Sequence, residues 1–254
     1  MERRTVAHLF VDDLAEPALS DNDVHHLSRV LRLRPGELVS ASDGRGGSRL
    51  CEWVGPAGSL TPVAAPVWEA PPAPGLTVGF ALTKAEHPEW AVQKLTEAGA
   101  DRIVVITTQR CITRWASSDG ARRIVRLREV ARQAAMQSRR SWLPSVDGPV
   151  PFSTLVGPPG ADGAGSGIAL AVQGGAPLTL ATPTVLVGPE GGWTEDELAA
   201  VPDTHRISLG PNVLRAETAA MAAGVLMAAL RAGLVVPASG SVPTGLSAPV
   251  RARA

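Results

Sequence analysis

The chain has no tyrosine, two cysteines and two lysines among its 254 residues. Each scarcity closes a class of function. Cys51 and Cys111 stand alone with no CxxC pair, which excludes a disulfide framework and a thiolate zinc site and fits a reducing compartment. With only Lys84 and Lys94, arginine is the default cation here, so a single arginine signals little. The formal net charge is zero, and any contact with nucleic acid must therefore come from local patches. No apolar run reaches the length of a bilayer span, and the opening MERRTVAHLF lacks the apolar core of a secretory leader. These absences predict a soluble, cytoplasmic protein. Neither GxxxxGKS nor GxxxxGKT occurs, and no serine sits in a GxSxG elbow, which disfavours a P-loop nucleotidase and a serine hydrolase.

What is present is 44% hydrophobic residues, enough core material for one large or two small domains. The first seventy residues read as a β-rich module. Asp21 or Asp23 caps a short helix with Val24, Leu27, Val30 and Leu31 on one face, and Pro35-Gly36 ends it. Leu38 to Ser42 and Ser48 to Val54 flank the turn Asp43-Gly44-Arg45-Gly46-Gly47 as a hairpin, and Val63 to Trp68 offers a further strand. The adjacent His25 and His26 face different ways on a helix and have no third partner, so a metal site is not expected. The proline-rich segment from Glu69 to Gly75 sets the domain boundary.

Strand and helix then alternate, the grammar of an α/β fold. Strands are predicted at Leu76 to Leu82, Ile103 to Ile106 and Ile168 to Val172. A helix starting near Pro88 carries Trp90, Ala91, Leu95 and Ala98 inward and stops at Gly99. A second helix, about Gly120 to Ser138, buries Ile124, Leu127, Val130, Ala131 and Ala134. That helix and its exit hold Arg122, Arg123, Arg126, Arg128, Arg132, Arg139 and Arg140 against Glu129, a sign asymmetry expected to face phosphate. The GxGxG at Gly163 to Gly167 precedes a strand instead of following one, so it reads as a linker within the 157–167 loop.

The stretch from Thr184 to Met227 organises the rest. Val185 to Val187 is a buried-type strand broken by Gly188-Pro189-Glu190-Gly191-Gly192, and Thr194 with Glu197 forms a capping box for the next helix. Ile207 to Leu209 ends at Gly210-Pro211, and Arg215 to Thr218 open an apolar helix reaching Leu230, with Gly233 as its cap. Two glycine turns at the carboxyl ends of adjacent strands are where an open α/β sheet binds ligand. Charged residues inside them, Glu190, Arg215 and Glu217, argue against ordinary connecting loops. A glycosidase-like carboxylate pair of Glu190 and Glu217, a non-catalytic RNA-binding module and a nucleotide-dependent enzyme all remain open on spacing alone.

VGPEGGWTEDEL followed by SLGPNVLRAETAAM resembles the paired C-terminal signature of the bacterial 16S ribosomal RNA uridine-N3 methyltransferases, in the SPOUT superfamily of knotted methyltransferases. HHLSRVLRLRPGE, EWAVQKLTEAGADRIVVITTQRC and ARQAAMQSRRSWLPSV resemble its upstream blocks. The resemblance implies a SPOUT-type knotted parallel sheet with helices on both faces and an N-terminal PUA-like β-barrel. The domains would be residues 1–72 for the RNA-binding barrel, 73–235 for the methyltransferase with its trefoil knot, and 236–254 for a disordered tail. It implies S-adenosylmethionine as cofactor, 16S ribosomal RNA within a small-subunit particle as partner, and a homodimer. Arg215 and Glu217 would be catalytic. The cofactor would meet Leu186, Val187, Gly188, Glu190, Gly191 and Gly192 on the first turn, and Leu209, Gly210, Asn212, Leu214 and Thr218 on the second. RNA would meet His26, Arg29, Arg32, Arg110, Arg139 and Arg140. Two positions depart from the pattern: Met136 stands where the family usually has an acid, and Asn212 where it more often has a base.

Overall fold

A computed structural model describes residues 5–56, 60–82, 87–157, 165 and 167–236. The expected tail beyond Val236, the centre of the 157–167 loop with most of its GxGxG, and the Thr83 to Glu86 loop lie outside the described residues.

The N-terminal module is a five-stranded sheet. β1 (Ala7–Phe10) pairs parallel with β2 (Leu38–Ser42), which pairs antiparallel with β3 (Gly47–Trp53). The β2–β3 hairpin turns where expected, and Asp43 accepts from the amides of Arg45 and Gly47. The single strand expected at Val63 to Trp68 is two short ones, β4 (Leu60–Pro62) and β5 (Val67–Trp68), both paired with β3. β1 itself escaped the sequence reading, because four residues without alternation carry no strand period.

Helix α1 (Asp21–His25) is capped by Ser20, whose hydroxyl accepts from the Asp23 amide at 3.2 Å; neither aspartate is the cap. It continues as a π-helical turn, His26–Val30, and ends at Arg32 with φ of 54°. The wider turn breaks the 3.6-residue period. Leu27 stays fully buried while Val30 and Leu31, expected inward, are 61% and 44% exposed.

No strand or helix lies between Trp68 and Thr77. Beyond it six parallel strands form one sheet, in the order β11-β9-β10-β6-β7-β8. They are β6 (Thr77–Ala81), β7 (Arg102–Thr107), β8 (Ser145–Pro151), β9 (Ile168–Pro177), β10 (Thr184–Val187) and β11 (Arg206–Ser208). β8 and the short helix α4 (Phe152–Val156) were not legible in sequence, and β9 runs five residues beyond the expected Val172. Helices α2 (His87–Ala98), α3 (Ser117–Gln137) and α6 (Ala216–Arg231) cover one face, burying Val78, Phe80, Ile103, Val105 and Val185. α4 and α5 (Glu195–Ala199) cover the other, where Ala81, Val104, Ile106 and Leu186 meet Phe152 and Trp193. The α/β class and helices on both faces are as the sequence indicated.

Trp90 on α2 is 40% exposed, contrary to expectation. Adjacent helical positions sit about 100° apart, so Trp90 and Ala91 cannot share an inward face, and the smaller side chain takes the core.

The two sheets meet along the C-terminal half of α3. Asp23, only 4% exposed, receives two hydrogen bonds from Arg132 at 2.7 and 3.1 Å, and Arg132 also donates to the Phe10 carbonyl. Breaking such a pair leaves a buried carboxylate unpaired, at a cost of about 3 kcal/mol. Met136 packs against the N-terminal core. His8 bridges Ser40 and the Arg140 carbonyl, and burial pushes its imidazole below the usual histidine range.

Candidate active site

The first glycine turn is held from three sides. Thr194 and Glu197 form the expected capping box at the start of α5. Glu197, buried, uses its other oxygen to accept from the Gln109 amide at 2.8 Å, which ties the turn to the end of β7. Arg110 donates from one nitrogen to the carbonyls of Gly191 and Trp193, both at 3.0 Å. The Trp193 indole donates to the Ala171 carbonyl and packs against Phe152.

The two turns enclose a cavity of about 460 Å³. Val187, Gly188, Glu190 and Gly192 line it from the first turn, and Leu209, Gly210, Asn212 and Leu214 from the second. Arg215, Ala216 and Ala219 close it from the start of α6. Gly210 has φ of 152° and Gly192 of 70°, and a Cβ on either would meet no atom within 4 Å. Three of the expected cofactor residues lie elsewhere. Leu186 is fully buried on the opposite side of the sheet because strand residues alternate faces. Gly191 backs onto Arg110, and Thr218 lines the neighbouring cleft. Gln173 and Leu198, which border the cavity, were missed; the two turns do not leave adjacent strands as expected, because β9, which carries Gln173 to the cavity, lies between β10 and β11.

That neighbouring cleft, about 1050 Å³, lies between α2, α3 and the start of α6. Trp90 and Gln93 face it from α2, Gln133 and Gln137 from α3, and Arg215 and Glu217 from α6. Arg215 alone among the described residues lines both the cavity and this cleft. The sequence reading missed all four α2 and α3 residues. The signal was there: an uncharged polar pair at i, i+4 on the otherwise ionic helix α3.

A third cleft, about 610 Å³, opens between the two modules and takes in His26 and Arg139. Arg29 and Arg32 are exposed and do not line it. The arginine-rich helix is corrected in part. Arg126 pairs with Glu89, Arg128 with Asp147, and Arg132 with Asp23. Arg139 donates to Thr5. The Arg140 guanidinium is interior: it donates to the carbonyls of Thr96 and Ala100 and meets Asp101, so it builds the fold instead of facing RNA. Arg123, lying over the Trp115 ring, and Arg122 make no ion pair among the described residues.

Arg110 likewise reads as a clamp on the glycine turn. Arg110→Ala should weaken cofactor binding about tenfold, as two charge-assisted hydrogen bonds to the turn are lost, with RNA affinity unchanged. Calorimetric titration with cofactor and with RNA separates the two outcomes.

Two family models match the chain. A model described as an RNA methyltransferase domain matches residues 71–228, and one described as an RNA methyltransferase PUA domain matches residues 19–55. The chain is 38% identical over 239 residues to ribosomal RNA small subunit methyltransferase E of Mycobacterium bovis, covering 86% of this chain and 90% of that one. The chain belongs to the ribosomal RNA small subunit methyltransferase E family. The Synechocystis member is 30% identical over 81% of this chain and 70% of its own length. The crystal structure of the Neisseria gonorrhoeae methyltransferase E bound to S-adenosyl methionine superposes with a TM-score of 0.71 at 26% identity, covering 88% of this chain and 97% of that one. In this family member Asn212, one of the two departures, lies on the cavity wall. Met136, the other, is partly buried, with its sulfur 3.5 Å from an Arg132 nitrogen.

Proposed function

We propose that the protein transfers a methyl group from S-adenosylmethionine to N3 of a uridine in 16S ribosomal RNA, as its resemblance to the uridine-N3 methyltransferases implies. The position of Arg215 carries this reading: one guanidinium borders both the cavity between the two glycine turns and the larger cleft beside it. A transfer between two ligands needs a junction of this kind.

The cavity between the turns fits the cofactor. Two glycine turns expose backbone donors and acceptors, space opens where Gly192 and Gly210 lack side chains, and Leu209, Leu214 and Ala219 supply an apolar wall. S-adenosylmethionine, when bound, supplies an electrophilic methyl on a positively charged sulfur. The larger cleft takes the base. N3 of uracil must lose its proton to attack, and the negative charge spreads onto the flanking carbonyl oxygens. The Arg215 guanidinium carries hydrogen-bond donors and no acceptor, so it acts as a donor to those oxygens. Glu217 shares the cleft and accepts the N3 proton. The face of Trp90 offers the base a stacking surface. The target must be unpaired for its N3 to be reached.

The loop from Leu209 to Leu214 threads as the trefoil knot of this architecture, which is supported by both glycine turns meeting in one cavity. A homodimer packed through this domain is supported by Val225, Leu226, Leu234 and Val235, apolar and exposed on α6 and its exit. No helix among the described residues is long and apolar enough to cross a membrane, and the small-subunit particle is the expected substrate.

Nucleoside mass spectrometry of 16S ribosomal RNA from cells with and without the gene tests the reading. 3-Methyluridine should disappear on deletion and return with the wild-type gene. Persistence of 3-methyluridine in the deletion strain would overturn uridine N3 as the target.

A further inference from the structure

Gln133 and Gln137 line two clefts at once, the open cleft beside Arg215 and the cleft between the modules. One helical turn separates them, about 6 Å along α3. From the cofactor cavity, Arg215 leads to the first cleft and these two amides lead on to the second. The intermodule cleft is thus the continuation of the substrate path.

Its chemistry favours a base over a phosphate. Asp23 and Arg132 neutralise each other, Arg139 donates to Thr5, and Glu129, also on the wall, accepts from Gln133 at 3.0 Å, so the two acids offset the two arginines in formal charge. Beside the polar His25, His26 and Asn22, the cleft presents an apolar patch: Val30 and Leu31, turned outward by the π-helical turn, and Met136 on α3. An acid at position 136 would add a second negative charge on α3 here; the thioether leaves an uncharged surface.

We propose that this cleft is a second nucleotide subsite, which seats the base of a single-stranded RNA nucleotide flanking the target uridine. Resting on the function proposed above, this makes the N-terminal module a reader of the same strand that the methyltransferase domain modifies. The backbone between the two nucleotides crosses α3 over Gln133 and Gln137, whose uncharged amides donate to it. Val30, Leu31 and Met136 pack on the flanking base.

The test uses fluorescence anisotropy with the full chain and single-stranded oligonucleotides centred on the target, shortened one nucleotide at a time from either side. Removing the base that fills the subsite should weaken wild-type binding about tenfold. Leu31→Asp, at an exposed position, should bind the full oligonucleotide about tenfold more weakly and lose its response to that truncation. Leu31→Met should restore both. An unchanged length dependence in Leu31→Asp would overturn the proposal, as would equal wild-type affinity for all lengths. RNA binding of the expected pattern with no methylation at uridine N3 would overturn the functional reading instead and leave the subsite standing. A full-length affinity unchanged by Leu31→Asp would show that the cleft serves another occupant, a protein surface.

Discussion

Arg215→Ala is expected to lower kcat for methylation by about 10²–10³, the usual loss when one donor to developing charge is removed. The physical reason is the timing of the charge. A neutral uracil needs little from a guanidinium, whereas the deprotonated ring concentrates negative charge on its carbonyl oxygens, within reach of the Arg215 donors that border the cleft. Arg215 precedes the first residue of α6 and makes no side-chain capping hydrogen bond, so its removal does not unfold the helix start. Cofactor affinity should stay near wild type, because the other residues of the two turns still line the cavity. Arg215→Lys keeps the charge and loses the planar fork, which places it between the two. Single-turnover rates at saturating RNA, with cofactor binding measured separately, give the answer. A loss confined to KM would move Arg215 from stabilising charge to ordinary binding.

Much of this site was legible because its signals are local. Gly188 to Gly192, the Thr194–Glu197 box and Gly210-Pro211 each declare a turn or a helix start within five residues. The order of strand and helix after Gly75 gave the class of fold for the same reason. What was not legible depends on residues far apart in the chain. Leu186 and Val187 are neighbours in one strand, yet only Val187 lines the cavity, and alternation alone does not say which face holds ligand. Arg140 carries the same charge as Arg139, but Asp101 and two carbonyls, 39 to 44 residues upstream, draw it into the interior. Val30 and Leu31 fit an α-helical stripe, and a single π-helical turn moved them to the surface. The resemblance to a known family supplied the reaction; no spacing in the chain distinguishes methyl transfer from other uses of two glycine turns.

Glu217→Gln is the sharper probe of chemistry, since it changes one oxygen to an amide and leaves the shape alone. If the carboxylate accepts the N3 proton, kcat should fall by about 10²–10⁴, the range for removing a positioned general base. The residual rate should then rise with pH, because solvent hydroxide must take over the proton. Glu217 sits in the first turn of α6, which holds its carboxyl at the cleft beside the start of the helix. Arg215, which lines the same cleft, stabilises the anion that forms. The two side chains therefore act on one proton transfer from opposite ends, and the double variant should lose much less than the product of the single losses. A pH–rate profile of Glu217→Gln unchanged in shape, with a loss under about tenfold, would instead assign the residue to orienting Arg215.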